Sequence, residues 1–276
     1  MVRFALRGGF VSLLAIIGTG CVAKSSGTIE RADSQAAGDA LGNGIEDSAA
    51  AFGPLNVGAT ADAQCVTLGG DIADTDADHI PANATLTFDC TSMALGLTGA
   101  LTGTESVVDD QPAAAAWAFT ASANFHASLT GSLGASIVRD WNGQIVATQA
   151  SQAGPFALDR ALDVVTVFTG ANGGSTTVTE ANDWTITYTP QLVFTPGGAI
   201  VTGTVSAAGT WDVTVGDKGA NAALATPTPL TLTPSCATFV TAGTITGTYL
   251  GGGVTNTITV TWTACGQRTV TFAQAR

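Results

Sequence analysis

Three aspartates at alternate positions form a short motif whose spacing implies a specific chemistry. Asp74, Asp76 and Asp78 are followed at the same spacing by Ile80, whose backbone carbonyl can also point inward. Carboxylate and carbonyl oxygens arranged along one flexible loop are the ligands that calcium prefers. The spacing therefore predicts a calcium site formed by these four residues.

The acidic loop resembles the calcium loops of thrombospondin type 3 repeats and EF-hands. The resemblance implies ligation by the three aspartate side chains and by the carbonyl of Ile80. The sequence departs from those loops at His79, which replaces the glycine of the sharp turn, and at Ala82 and Thr85, where an acidic ligand is expected. Without a bidentate carboxylate the implied calcium is weakly bound. A solvated acidic loop without metal is the alternative, and we expect no other cofactor.

Acid–base catalysis has few candidate residues in this sequence. Histidine is the usual general acid or base, and the chain has only His79 and His126, the second on the polar side of a predicted strand. The sequence motifs of serine hydrolases, zinc peptidases and phosphate-binding loops do not occur. Carboxylate pairs that could serve a glycosidase are Asp159 with Asp163 and Asp212 with Asp217. We therefore expect no enzymatic activity, and a secreted hydrolase that uses acidic residues is an alternative.

The cysteine count indicates disulfides in an oxidising compartment. Because five cysteines leave one thiol without a disulfide partner, Cys21 is expected to have another role. Among the three pairings of the other four, Cys65–Cys90 and Cys236–Cys265 close the shortest loops. Each bond would stabilise the fold by about 3 to 4 kcal/mol. Buried free thiols are the alternative, and no pair has the C-x-x-C spacing typical of zinc sites.

The first 20 residues have the layout of an export signal, with arginines before an apolar stretch centred on residues 10–17. That stretch is too short to cross a bilayer as a stable helix. The segment resembles the bacterial lipoprotein signal, which implies that Cys21 begins the mature protein and carries a lipid anchor. It departs from that signal at Gly18, where leucine is usual. Ordinary cleavage after Ala23 is the alternative.

Residues 21–60 are predicted to form a tether that contains one amphipathic helix, at about residues 31–52. Glycines at positions 38, 42 and 44 each cost such a helix about 1 kcal/mol relative to alanine, so it needs a surface to pack on. The apolar residues recur every three or four positions and fall on one helical stripe: Ala37, Leu41, Ile45, Ala49 and Phe52.

From residue 61 to residue 276 the apolar pattern has period two, which predicts one antiparallel β domain. The clearest example is residues 117–129, where apolar side chains alternate with Thr, Ser, Asn and His. We expect an all-β meander of roughly a dozen strands. Because long strands twist and coil, the sheet should curl into a barrel or a two-layer sandwich.

Glycine and proline predict where these strands are interrupted. Asn142-Gly143 is a strong two-residue hairpin signal, and glycine clusters at 172–174 and 251–253 predict further turns. Three prolines between residues 222 and 234 indicate an edge or crossing segment, because proline cannot donate to a central ladder.

The charge balance limits the partners that this chain can have. The formal net charge is -12, and only 11% of residues are charged. Such a protein repels nucleic acid and anionic lipid surfaces, so its expected membrane contact is the lipid anchor alone. We predict a non-enzymatic lipoprotein of the bacterial cell envelope, located at the outer membrane, that acts as a structural or binding module. A lipocalin-like carrier of an apolar ligand is the alternative.

Overall fold

A computed structural model describes most of the chain. The described residues are 27–50, 65–76, 80–94, 97–110, 118–149, 156–189, 193–195, 198–200, 203–233, 235–236 and 240–275. Within them lie one helix, α1 (Ser34–Ala50), and fifteen strands. The strands are β1 (Gly27–Thr28), β2 (Val66–Asp71), β3 (Asn83–Ala94), β4 (Leu97–Asp109), β5 (Ala118–Gly131), β6 (Ser136–Gln149), β7 (Phe156–Thr169), β8 (Ser175–Thr189), β9 (Val193–Thr195), β10 (Gly198–Ile200), β11 (Gly203–Val215), β12 (Lys218–Leu232), β13 (Val240–Gly251), β14 (Val254–Ala264) and β15 (Gln267–Ala275).

Thirteen of these strands form one sheet, whose long strands follow each other in chain order. From edge to edge the path is β15-β14-β13-β12-β11-β8-β7-β6-β5-β4-β3-β2, with antiparallel pairing throughout. Strand β1 adds a short parallel pairing to β12, and β9 with β10 forms a separate hairpin. The predicted antiparallel meander is confirmed. Among the described strands, β2 and β15 do not pair with each other, so the sheet is not closed into a barrel.

Alternation along the strands gives the sheet two different faces. On β8, for example, Val178, Trp184 and Ile186 are buried, whereas Thr179 and Asp183 are exposed. Period-two alternation places each set on its own face of the pleat. The outer face is rich in threonine, and the inner face carries the core.

Helix α1 packs on the inner face of the sheet, and the sheet curls around it. The predicted apolar stripe is confirmed for Ala37, Leu41 and Ile45, which are almost fully buried. The side chain of Ala49 and the whole of Phe52 lie outside the described part of the structure. The helix packs on β14 and β15 and also on β8 and β11. In the sheet β15 and β8 are five strand positions apart, about 24 Å if the sheet were flat. A helix about 10 Å wide reaches both only because the sheet is curled.

The helix glycines that weaken the helix by propensity are needed for this packing. A Cβ at position 42 would lie 2.7 Å from Nε of Arg268, and one at position 44 would lie 2.8 Å from the ring of Trp184. A Cβ at Gly38 would overlap the side chain of Val270. The three glycines therefore allow the helix backbone to approach the sheet closely.

The variant Gly38→Ala should test this packing, because propensity and packing predict opposite signs. Alanine favours an isolated helix by about 1 kcal/mol, but here its methyl group would displace Val270. Overpacking of this kind costs about 1 to 3 kcal/mol, so we expect a net loss in the free energy of unfolding. Chemical denaturation of Gly38→Ala, Val270→Ala and the double variant measures it. A double variant no more stable than the sum of the single effects would contradict the contact.

The two predicted disulfides are present. Cys65 bonds to Cys90 and Cys236 to Cys265, with Cα–Cα distances of 4.8 and 5.4 Å. The first joins the residue before β2 to β3, and the second joins the β12–β13 connection to the β14–β15 turn. Disulfides persist in oxidising compartments, which places the protein in the periplasm or the extracellular space.

Two predictions about interruptions are wrong. Asn142 and Gly143 lie in the middle of β6, paired with Asn124 and Ala123 of β5, and form no hairpin turn. Pro227 and Pro229 belong to β12, which is a central strand between β11 and β13, whereas Pro234 lies outside the described residues. Its ladder to β13 shifts register between Ala225 and Leu232, so the prolines sit where regular pairing is already broken.

Candidate functional site

The acidic loop predicted to bind calcium is only partly described. Asp74 and Asp76 precede the gap at 77–79, so Asp78 and His79 lie outside the described residues. The side chain of Ile80 is buried in the core. No group of three metal-ligating side chains occurs in the part of the chain that the structure describes. The calcium site therefore stays a prediction.

His126 lies on the outer face of the sheet, as its place in the alternating pattern predicted. Its Nδ1 is 2.7 Å from Oδ1 of Asp140 on the neighbouring strand, and both side chains are about half exposed. This is an open surface position, without the enclosure that a general base normally has.

The carboxylate pairs considered for hydrolysis do not face a common cavity. Asp159 and Asp163 are both exposed on the outer face of β7, four residues apart, which corresponds to roughly 13 Å along a strand. Glycosidase carboxylates lie about 5 to 9.5 Å apart. Asp212 accepts a hydrogen bond from Asn221, and Asp217 lies in the exposed turn before β12.

A buried polar network attaches helix α1 to the sheet. Arg268 of β15 forms an ion pair with Glu46 at 2.9 Å and donates to Oδ1 of Asn43 at 2.6 Å. Glu46 also accepts a hydrogen bond from Nε1 of Trp262 at 2.8 Å. Burial raises the pKa of Asp39, an effect that Gln35 and Arg268 partly offset. Every contact joins the helix to itself or to the sheet, so the network holds the helix in place.

A second polar group lies deeper, under the C-terminal half of the helix. Arg160 of β7 donates to the carbonyl of Gly44, and its guanidinium lies 4.8 Å from the ring centroid of Trp184. Nε1 of Trp211 donates to Oε1 of Glu180 at 3.0 Å. These residues join β7, β8 and β11 to each other and to α1.

The inner face over β3 to β6 differs from the part of the inner face under α1, because a half-buried row of aromatic side chains runs across it. Phe88, Gly103, Phe125 and Trp141 are direct cross-strand neighbours, and we call the three rings the aromatic row. The rings of Phe88 and Phe125 meet above Gly103, edge to face, with centroids 5.2 Å apart. Any Cβ at Gly103 would collide with the backbone of β5, so this position requires glycine.

Arg139 lies at the end of the aromatic row. Its guanidinium is 4.8 Å from the ring centroid of Trp141, two residues along the same strand, and the arginine is buried. Stacking of this kind fixes the plane of an indole ring. Trp141 is therefore held in position while part of its surface stays exposed to solvent.

Beside the aromatic row lies a strip of small residues that we call the trough. Ala123 and Gly143 are its floor, with Glu105 at one end and Leu162 at the other, and all four are direct cross-strand neighbours. The next inward position is Asn182 of β8, which is 4% exposed. Neither side-chain atom of Asn182 has a hydrogen-bond partner within the described part of the chain.

Glu105 is an isolated buried carboxyl group. It is 6% exposed, and its inward neighbours are apolar or glycine: Leu86, Gly103, Val107 and Ala123. It makes no hydrogen bond or ion pair to any residue in the described ranges. Burial alone raises the pKa of Glu105 to about 8. A buried carboxyl group without a partner among the described residues is costly in such a setting.

Sequence reasoning did not single out Glu105, Arg139 or Trp141. A usable signal exists, because each charged residue stands at an inward position of an alternating strand. Charges at core positions are rare unless they are paired or functional. Assigning each residue of β4 and β6 to one face by its place in the alternation would have identified Glu105 and Arg139 as charged residues on the inner face.

Comparison with known proteins adds no relationship for this chain. Neither protein-family models, nor curated proteins, nor solved structures give a match.

Proposed function

We propose that this protein is an exported, lipid-anchored module of the bacterial cell envelope that binds a largely apolar small molecule on the inner face of its sheet. The observation that carries the proposal is the half-buried, partly accessible aromatic row beside a floor of alanine and glycine. Ligand sites are concave, mostly apolar and rich in aromatic side chains, with a few polar groups that orient the ligand. The face over β3 to β6 combines these features.

The position of helix α1 supports this assignment. The helix packs on β8, β11, β14 and β15, and its glycines and polar network fix it there. On β3 to β6, by contrast, Phe88, Ala123, Phe125 and Trp141 keep part of their surface accessible. Among the described residues, α1 packs on the other part of the inner face, so these four side chains stay partly accessible to a ligand.

Binding of a neutral apolar probe tests the proposal. We expect N-phenyl-1-naphthylamine to gain fluorescence on saturable binding to the wild-type protein. Ala123→Leu should fill the trough and weaken binding by about tenfold, as expected when a pocket loses room for a few methylene groups. The matched control is Ala181→Leu, which adds the same bulk on the outer face of β8. Absence of saturable binding, or equal binding by Ala123→Leu, would contradict the proposal.

The lipid anchor is a separate prediction that concerns Cys21, which lies outside the described residues. We expect the mature protein to begin at Cys21 and to carry acyl chains, because the odd cysteine is then used and the export signal ends there. Intact-mass analysis of membrane-extracted protein measures this, and Cys21→Ser should release the protein from membranes. A mature chain that begins at Lys24 without acyl mass would show ordinary cleavage instead. No helix in the described ranges is long and apolar enough to cross a membrane.

A structural module without a ligand is the second candidate function. The observation that favours it is the buried network of Arg268, Glu46 and Trp262, which makes the helix a fixed part of the core. Such a module would act through its acidic, threonine-rich outer face. The probe experiment separates the two functions, because a purely structural module would not bind the probe saturably.

A further inference from the structure

We propose that the ligand of the inner face is an amphiphilic amine, whose apolar part lies along the aromatic row and whose ammonium group pairs with Glu105. This specificity presupposes the proposed function, since it needs ligand binding on that face. It commits the site to an organic cation in preference to a neutral or acidic molecule of the same size.

The isolation of Glu105 is the first argument. A buried carboxyl group in a protein is normally paired with a cation or satisfied by hydrogen bonds. Glu105 has neither from the described residues, and burial is the single cause that shifts its pKa. Its inward neighbours on β3, β4 and β5 carry no charge. A cationic group from outside the chain would supply the missing partner.

Other inward charges are too distant to take this role. Asp109 lies four residues along β4, Arg139 two strands away and four residues further along, and Arg160 three strands away. Each separation is about 13 Å or more between backbone positions. Arg139 is already stacked on Trp141, and Arg160 is bonded to the helix.

The aromatic row and the charge of the protein point to the same ligand class. Aromatic faces attract cations as well as apolar groups, and Phe125 lies one inward position from Glu105 in the strand lattice. The net charge of -12 concentrates cations and repels anions. The row from Phe88 to Trp141 spans three strand spacings, about 14 Å, which is long enough for a medium alkyl chain or two fused rings.

Three probes that differ only in their head group test this inference: octylamine, octanol and octanoate. Displacement of N-phenyl-1-naphthylamine from the wild-type protein should show octylamine binding about tenfold to a hundredfold more tightly than octanol, the range for a charge-assisted contact. Octanoate should bind more weakly than octanol. As the pH falls from 9 to 6, octylamine should lose affinity by up to about tenfold per pH unit, because Glu105 must then release a proton on binding. Octanol should show no such dependence.

The variant Glu105→Gln should remove the preference for octylamine and its pH dependence while octanol still binds. Asp183→Asn is the matched control, because it removes one negative charge from the outer face and should keep the preference. If octanol binds in the trough but octylamine gains nothing over it, the amine specificity is wrong and the proposed function stands. If none of the three probes binds, both are wrong. If Glu105→Gln and wild type prefer octylamine over octanol to the same extent, the preference comes from the overall charge of the protein, and the role of Glu105 is wrong.

Discussion

Replacing Arg268 by alanine is expected to lower the free energy of unfolding by about 3 to 5 kcal/mol, the range for breaking a buried ion pair from one side. Arg268 pairs with Glu46 at 2.9 Å, lies 3.6 Å from Oδ1 of Asp39 and donates to Asn43. Removing the guanidinium takes the cationic partner away from two buried carboxyl groups, those of Asp39 and Glu46. Urea denaturation followed by circular dichroism measures the loss.

The loss in Arg268→Ala should depend on pH with a defined sign. Burial raises the pKa of Asp39, and the variant loses the opposing effect of Arg268, so the folded-state pKa of Asp39 should rise further above its unfolded value. The folded state then binds this proton more tightly than the unfolded state, so the variant should lose stability relative to wild type as the pH rises and regain it as the pH falls. Arg268→Met keeps most of the aliphatic packing and serves as the control for lost volume. A loss below about 1 kcal/mol for both variants would show that the network does not hold the helix.

Replacing Glu105 by glutamine is expected to stabilise the protein at alkaline pH. Burial raises the pKa of Glu105 from 4.5 to about 8, so the folded state holds the proton across a range where the unfolded state has lost it. Stability from this group is therefore fully present below pH 4.5 and is lost as pH rises towards 8. The variant should gain on the order of 3 kcal/mol over wild type at pH 8.5.

Thermal denaturation of wild type and Glu105→Gln between pH 4 and 9 measures this effect as a difference between two profiles. The difference isolates Glu105, because Asp39 and the other carboxyl groups are common to both proteins. Asp183→Asn should follow the wild-type profile. Parallel profiles for wild type and Glu105→Gln would mean that the carboxyl group is solvated or paired.

The sequence predicted the architecture well where local pattern and tertiary structure agree. Period-two alternation marked the strands, the stripe from Ala37 to Ile45 marked the helix, and cysteine spacing gave both disulfides. These signals are local, so they can be recognised without knowing which residues are close in the folded protein. The curling of the sheet around α1 depends on contacts between strands that are distant in the chain. Alternation within each strand therefore did not predict it.

The wrong predictions come from glycine and proline, whose meaning depends on what lies beside them. Asn142-Gly143 has the composition of a tight turn, but a Cβ at position 143 would collide with the backbone of β7. The glycine is required there by close approach between strands, and it also forms the floor of the trough. Gly38 and Gly42 were correctly taken to weaken an isolated helix, but only the structure shows that they also let the helix approach the sheet closely.

The candidate site could not be assembled from the sequence because its parts lie on separate strands. Phe88, Glu105, Ala123 and Trp141 become neighbours only through the register of four strands. Each is ordinary in its own strand. The combination of a buried carboxyl group, small residues and half-buried rings becomes visible only when the register of neighbouring strands is known.

The most direct test of binding on the inner face is nuclear magnetic resonance of protein with labelled alanine methyl groups, titrated with octanol. We predict saturable shifts of the Ala123 methyl signal and of the Trp141 indole signal, with the outward Ala181 methyl unchanged. Shifts confined to Ala181 and other outer-face alanines, or no saturable shift at Ala123, would contradict a ligand site in the trough.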